Sequence, residues 1–231
     1  MKRLEHRRVV LTGATRGIGY ETVKLFAAEG AEIIGVARDA ERLKAIAAIY
    51  PIFQGLVGDV TDKTLGARVA QAVQQRWGAF DLLINNAAIQ SYNQGFHDEP
   101  VDLVEKNLVT NVLSAHWLTH TLLPLLEKGH EPRIINVSSD AGQLSVLQSN
   151  ATMPAYRLSK FALNGLSILY AGDLKGRIAV NAVHPGWLKT DLGGPQAPGE
   201  PPEGAVRLLE VATKPFDVTG RMWFGAEEMP F

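Results

Sequence analysis

The chain contains no cysteine. Disulfides, thiol nucleophiles and thiolate metal sites are thereby excluded, and no positive argument for an oxidising compartment remains. Long apolar runs are missing too: none reaches the roughly 18 residues that would suggest a membrane span. The start, "MKRLEHRRVV", is basic, but no apolar stretch of signal-peptide length follows it. Charge of one sign is also lacking. The 23 Lys and Arg residues against 24 Asp and Glu leave a net charge of −1, so no overall field steers the protein towards nucleic acid or anionic lipid. Neither partner is expected, and a cytoplasmic location is. Internal repeats, low-complexity tracts and linkers are absent. What is present is 231 residues, 46% of them hydrophobic and 20% charged, which suits one domain over residues 1–231 with a well-buried core.

Short β-branched apolar runs recur at intervals: "RRVVLTG" (7–13), "AEIIGVAR" (31–38), "IFQGLV" (52–57), "FDLLIN" (80–85), "RIINVSS" (133–139), "RIAVNAVH" (177–184) and "GRMWFG" (220–225). They read as strands. Amphipathic segments lie between them: 18–29, 39–48, 62–77, 101–127 and 154–174. Gly30, Gly78 and Gly129 fall where left-handed helix caps are expected. Alternation of this kind implies βαβ units, and strands of nearly continuous apolar character suit a sheet covered on both faces. The expectation is α/β: a single doubly wound Rossmann-type domain with a seven-stranded parallel sheet flanked by helices. "GGPQAPGEPPEG" (193–204), rich in Gly and Pro and without apolar periodicity, reads as a loop outside the core.

The first strand runs into "TGATRGIG" (12–19), where Gly13, Gly17 and Gly19 precede a helix. Glycines there let the backbone turn sharply and a pyrophosphate approach, while the helix start offers free N–H groups. The spacing is G-x-x-x-G-x-G rather than the dinucleotide fingerprint G-x-G-x-x-G, so a purely structural turn stays open. Strand before, helix after and a second strand on schedule favour a nucleotide. The second strand ends in Arg38, where a carboxylate would bind the ribose of NAD. A guanidinium there, with Arg16 in the glycine turn, suits a 2′-phosphate and points to NADP(H) over NAD(H). Asp39, one residue on, keeps NAD open.

In "AYRLSK" (155–160), Tyr156 and Lys160 stand four apart, one helical turn, and so share a face. Alone, that pair is as well explained as two surface residues. Together with the other segments it resembles the short-chain dehydrogenase/reductase family, and the likeness runs essentially end to end. "TGATRGIG" resembles the family's TGxxxGxG turn, which implies cofactor contacts from Gly13, Thr15, Arg16, Gly17, Ile18 and Gly19. "GDVTD" (58–62) resembles the segment that contacts adenine, here through Asp59 and Val60. "NNAA" (85–88) resembles NNAG, with Asn86 and Ala87 beside the adenosine ribose and Ala88 in place of the last glycine. "TNVLSAHWLTHTLLPLL" (110–126) resembles the central helix that carries the active-site asparagine, here Asn111. "NVSSDAG" (136–142) resembles the catalytic-serine segment and assigns Ser139 rather than its neighbour Ser138. "YRLSK" resembles YxxxK. "HPGWLKTDL" (184–192) resembles the segment passing the nicotinamide, implying Pro185, Gly186, Leu188 and Thr190.

The resemblance implies a catalytic set of Asn111, Ser139, Tyr156 and Lys160. A phenol, ordinarily near ~10, is a sluggish proton carrier at neutral pH. An ammonium one turn away favours the phenolate, which makes Tyr156 the acid in reduction and the base in oxidation. By resemblance, Lys160 also holds the nicotinamide ribose. Ser139 would donate to the carbonyl oxygen, and Asn111 would anchor a water linking Lys160 to solvent, although a helix asparagine can also simply bond backbone. No metal is expected. His116 and His120 share a helical face but have no third ligand in view, and His184 is expected to have no acid–base role.

The function so implied is NADPH-dependent reduction of an aldehyde, ketone or quinone to an alcohol, as in carbonyl-reductase-like members. Specificity would lie in 141–154, in the loop after "NNAA", and in a substrate loop at about 187–204. An NAD(P)-dependent alcohol dehydrogenase or 3-oxoacyl reductase would use the same four residues. A sensor or scaffold that binds NADP(H) without turnover predicts a missing member of the set, and none is missing. A homodimer or homotetramer formed through 101–127 and 154–174 is the expected assembly.

Overall fold

A computed structural model describes residues 2–91 and 95–231. The apolar runs become strands β1 (Arg8–Thr12), β2 (Glu32–Ala37), β3 (Phe53–Val57), β4 (Leu82–Asn85), β5 (Arg133–Val137), β6 (Ala179–Val183) and β7 (Met222–Phe224). One more, β8 (Glu227–Met229), completes the sheet in the order β3-β2-β1-β4-β5-β6-β7-β8. The first seven run parallel, whereas β8 returns antiparallel onto β7, pairing Met222 with Met229. The expected count of seven is therefore corrected to eight. The sequence "EEM" has too few apolar residues to mark a strand, and it is the hairpin at Gly225 that folds it back onto the sheet edge.

Helices α1 (Gly17–Ala28), α2 (Ala40–Ile49), α3 (Leu65–Arg76), α4 (Val101–Leu108), α5 (Ser114–Leu126), α6 (Leu144–Ser149), α7 (Pro154–Asp173) and α8 (Pro201–Ala212) cover the sheet. Alternation along each strand sorts the core into two layers, since neighbouring side chains point to opposite faces. Val9 and Leu11 face Val23 and Phe26 of α1 and Leu208 of α8. Val10 faces the other layer, with Val69 of α3 and Leu122 of α5. Burying a side chain such as Phe26 or Leu122 contributes about 1.5–3 kcal/mol. α1 packs on α8, α3 on α5 and α4 on α7. The strand order reverses between β1 and β4, and the crevice beyond their carboxyl ends is where open α/β sheets bind ligands.

Three local expectations are corrected. The segment 101–127 is not one α-helix, because a π-helical turn over Val109–Leu113 separates α4 from α5. The last residues of the 193–204 loop open α8, whose Gly204 is buried against Ile18 and Leu188. Its "PPEG" start hides the periodicity, yet proline is tolerated in a helix's first turn and the Glu200 N–H donates to Glu203 Oε1 at 2.8 Å. Gly30 and Gly78 have positive φ, as expected, but Gly129 does not. Glycine is needed there for close approach instead, since a Cβ would stand 2.0 Å from the Phe80 carbonyl oxygen.

Candidate active site

A cavity of about 1030 Å³ opens beyond the carboxyl ends of the strands. Three groups of side chains give it three chemical regions.

The middle region is the glycine turn. Gly13 and Gly17 adopt positive φ, 70° and 51°, and a Cβ on Gly19 would lie 2.0 Å from the Gly13 carbonyl oxygen. The turn can close only with glycine there. Arg16, at the N-cap of α1, makes no capping bond, so the first-turn N–H groups lack a side-chain partner where they border the cavity. Thr15 and Ile18 border it as well. Asn86 braces the turn from β4: its Nδ2 donates to the Thr12 carbonyl at 2.9 Å, and the N–H groups of Asn86 and Ala87 each donate to Thr12 Oγ1 at 3.0 Å. Thr12, which the sequence reading passed over, thus ties β1 to the loop after β4.

At one end lie Arg38, Asp39, Arg42, Asp59 and Val60. Asp39 is the N-cap of α2; its carboxylate accepts the Arg42 N–H at 2.9 Å and lies 3.3 Å from the Arg42 guanidinium. Arg38, largely exposed, reaches to 3.6 Å from Asp59. Partial burial pushes the Asp59 carboxyl up, but the Thr61 N–H and hydroxyl and the Arg38 guanidinium outweigh it and hold the group below its usual range. Arg42 is missing from the sequence-based set. Its signal lies in "RDAER" (38–42): Arg38 follows β2 and Arg42 falls in the first turn of α2, and both border the cavity. Arg16 pairs with Asp191 at 2.6 Å, joining the glycine turn to the segment after β6. Arg16 and Arg38 both border the cavity.

At the other end, Met153 takes a left-handed conformation (φ 53°) and Pro154 starts α7. Tyr156 and Lys160 follow on one face, and both border the cavity. The Lys160 Nζ donates to the Val137 carbonyl at 2.8 Å and lies 5.5 Å from the centre of the Tyr156 ring. Burial pushes its ammonium down to about 7.

Asn111 and Ser139 lie behind this wall, whereas Ser138 borders the cavity. Asn111, in the π turn, accepts the Ile89 N–H at 2.9 Å and donates to the Ile89 carbonyl and to Ser159 Oγ, both at 2.9 Å. Both of its amide protons are used, so its side chain is a clamp between the loop after β4 and α7. Ser138 is buried and donates to Asn164 Oδ1 at 2.6 Å. Ser139 donates to Asp140 Oδ1 at 2.9 Å. Pro185 and Thr190 border the cavity, but Gly186 and Leu188 do not. Leu188 is buried beneath Gly204 of α8, and Gly186 (φ 98°) leaves room for Arg207, whose Nη1 would meet a Cβ at 2.6 Å. Those two shape the segment and do not face the cavity.

Of the specificity segments, residues 92–94 lie outside the described residues, while 144–149 form α6. Trp187 is exposed and anchors its indole N–H on the Gly193 carbonyl at 2.7 Å. His116 bonds Tyr170 Oη at 2.8 Å and lies 6.1 Å from His120, ring to ring. Among the described residues no group of three metal-binding side chains is found, and no helix is long and apolar enough to cross a membrane.

Set against known proteins, residues 7–201 match the family model described as short chain dehydrogenase. A short-chain dehydrogenase of Penicillium roqueforti, anuI, is 32% identical over 93% of this chain and 92% of its own length. The 3-oxoacyl-[acyl-carrier-protein] reductase FabG of Thermotoga maritima is 32% identical over 82% of this chain and 77% of its own. Among solved structures, the NADPH-bound carbonyl reductase from chicken fatty liver superposes with a TM-score of 0.91 at 29% identity, covering 99% of this chain and all of that one.

Proposed function

Because the chain belongs to the short-chain dehydrogenase family, an oxidoreductase family, we propose that it reduces an aldehyde, ketone or quinone to an alcohol with NADPH. One observation carries this reading: a single cavity bears Tyr156 with buried Lys160 at one end, arginines at the other, and a glycine turn between them. The residues suit a phosphorylated dinucleotide. Gly13 and Gly19 let the turn close, since a Cβ on either would strike Asn86 or the Gly13 carbonyl, and the α1 N-terminus favours a pyrophosphate. Val60, Asn86 and Ala87 border the adenosine side. Asp39 is occupied as a helix cap, and Arg38 and Arg42 stand ready for a 2′-phosphate. Pro185 and Thr190 border the nicotinamide side, where Gly186 and Leu188 hold the segment in place.

The reduced dinucleotide supplies the hydride when bound. Tyr156 Oη gives its proton to the carbonyl oxygen as that oxygen gains charge. Lys160, held under the ring by the Val137 carbonyl, can gain or lose a proton near neutral pH, and its charged form favours the phenolate left behind. Ser139 steadies the same oxygen, and Asn111 fixes the backbone against which the substrate lies. Substrate choice falls to 141–154 and the loop at about 187–204. The whole of residues 1–231 acts as one domain, in the cytoplasm, as a homodimer or homotetramer.

The 3-oxoacyl reductase relative supports a second reading, in which the carbonyl sits on an acyl thioester. Loss of NADPH absorbance over a panel of aldehydes, ketones, quinones and 3-oxoacyl thioesters tests both. Turnover of a simple carbonyl upholds the first reading, and turnover confined to thioesters the second. Silence with tight NADPH binding contradicts both and leaves a sensor.

A further inference from the structure

Ser139 carries one hydroxyl proton, and in the structure it is given to a neighbour. Its Oγ donates to Asp140 Oδ1 at 2.9 Å and accepts the Ala141 N–H at 3.1 Å. The same Ala141 N–H lies 2.7 Å from Asp140 Oδ1, so serine and carboxylate are locked into one small ring of hydrogen bonds. A carboxylate is a stronger acceptor than a neutral carbonyl. While this arrangement lasts, the serine cannot donate to a substrate oxygen.

Asp140 has a second neighbour. Its backbone N–H donates to His184 Nδ1 at 3.3 Å, and its Oδ1 lies 3.7 Å from that same nitrogen. Accepting this N–H makes Nδ1 the unprotonated nitrogen and leaves the neutral ring's proton on Nε2. The ring is mostly buried and stacked on Phe224, 5.3 Å between centres, which limits its movement. A proton added at Nδ1 would face the Asp140 N–H, and the acceptor near it is Oδ1, the oxygen that holds Ser139.

We propose that Asp140, anchored by His184, is a positioning residue that holds the Ser139 proton in reserve, and that a charge on the His184 ring releases that proton towards the substrate oxygen. The serine's part in catalysis rests on the reductase reading given above; the coupling between serine and histidine does not. Burial and two charged groups set when His184 takes a proton. Burial pushes the ring below its ordinary value, Asp140 pushes it up, and Arg207 pushes it down. Arg207 reaches in from α8 over Phe224, 4.3 Å from its ring centre, and is itself paired with Glu203 at 3.1 Å.

Linkage supplies a test without turnover. If charging His184 frees the serine, then deleting the serine hydroxyl must ease the charging of His184 by the same factor. Imidazole resonances of the whole chain, labelled at histidine, would be titrated, with His184→Asn used to assign the signal among the six histidines. Ser139→Ala should raise the His184 midpoint by about half a unit, less than the ~1–3 units of a close charge pair because Asp140 is half exposed. Asp140→Ala should lower it, and Asp140→Asn, which keeps the acceptor, should lower it too. A midpoint unmoved by Ser139→Ala overturns the proposal, whatever the Asp140 variants do. In a second arm, the rise in carbonyl reduction towards acid pH should be roughly tenfold smaller in His184→Asn than in the parent. Superposable profiles contradict the proposal. A parent that reduces no carbonyl refutes the reductase reading, while the titration still decides the coupling.

Discussion

Burial strips Lys160 of water and gives it one carbonyl in return, Val137 at 2.8 Å. That exchange pulls its ammonium from 10.5 to about 7, so at neutral pH the group is poised between its two states. In the unfolded chain it stays protonated to about pH 10. Between about pH 7 and 10 the unfolded state therefore binds more protons than the folded one, and this group's contribution to stability rises with pH across that window. Below pH 7 the folded chain must hold a buried charge. Lys160→Met should accordingly raise the melting temperature of the cofactor-free chain at pH 6, on the order of several degrees. The gain should shrink towards pH 10; calorimetry at a series of pH values checks this, and a constant difference would contradict it. Tyr156 owes its place to the same helical turn. Tyr156→Phe should bind NADPH as the parent does and turn over at least ~10²-fold more slowly, the usual cost of losing a general acid. Parental turnover in steady-state assays would remove the role.

Elements fix what residues alone leave open. The π turn at Val109–Leu113 carries Asn111, which fastens the loop after β4 to Ser159 of α7. The junction of β2 and α2 sets Arg38 before the helix and Arg42 in its first turn, both at the cavity, and ties up Asp39 as a cap. Arg38→Ala with Arg42→Ala should thus weaken NADPH roughly 10- to 100-fold, the loss of one or two charge-assisted bonds, and leave NADH unchanged. Calorimetric titration with both cofactors reads the difference; equal losses would place the arginines elsewhere. The elements that sequence conveys well are those whose own pattern makes them, such as β1, β2 and β5, with apolar runs at their centres and buried on both faces. Those it conveys poorly are made by their surroundings. β8 exists because β7 offers an edge, and α8 begins at two prolines because α1 and Leu188 receive its small residues. The site divides likewise. The glycine turn and the Tyr156–Lys160 pair are local patterns, legible in a dozen letters. Arg42 is less legible, because the strand-end pattern marks only Arg38 and it takes the start of α2 to bring Arg42 to the cavity. Gly186 and Leu188 match a motif, yet they stand behind the wall, because a motif cannot say which way a side chain faces.

At the scale of the molecule, reversal of strand order between β1 and β4 opens the crevice, and both ends of the cavity are built on the strands beside it. On the layer formed by α5 and α7, Phe161, Ile168 and Leu169 are 42, 45 and 72% exposed along one stripe of α7. Gly165 and Gly172 lie on the same stripe, with open space where a Cβ would stand. A second copy can press closely against such a face, so Leu169→Glu should shift the chain towards monomer in sedimentation experiments. A parent that is monomeric at micromolar concentration would contradict pairing there. The central claim joins the two ends of the cavity: a proton from Tyr156 and a hydride from NADPH reach one carbonyl group. NADPH carrying deuterium on its transferable position, incubated with a carbonyl compound that the chain consumes, tests it most directly. Mass spectrometry should find one deuterium on the new carbinol carbon with the parent chain and almost none with Tyr156→Phe. Bound NADPH that never passes its deuterium to any carbonyl would contradict the account.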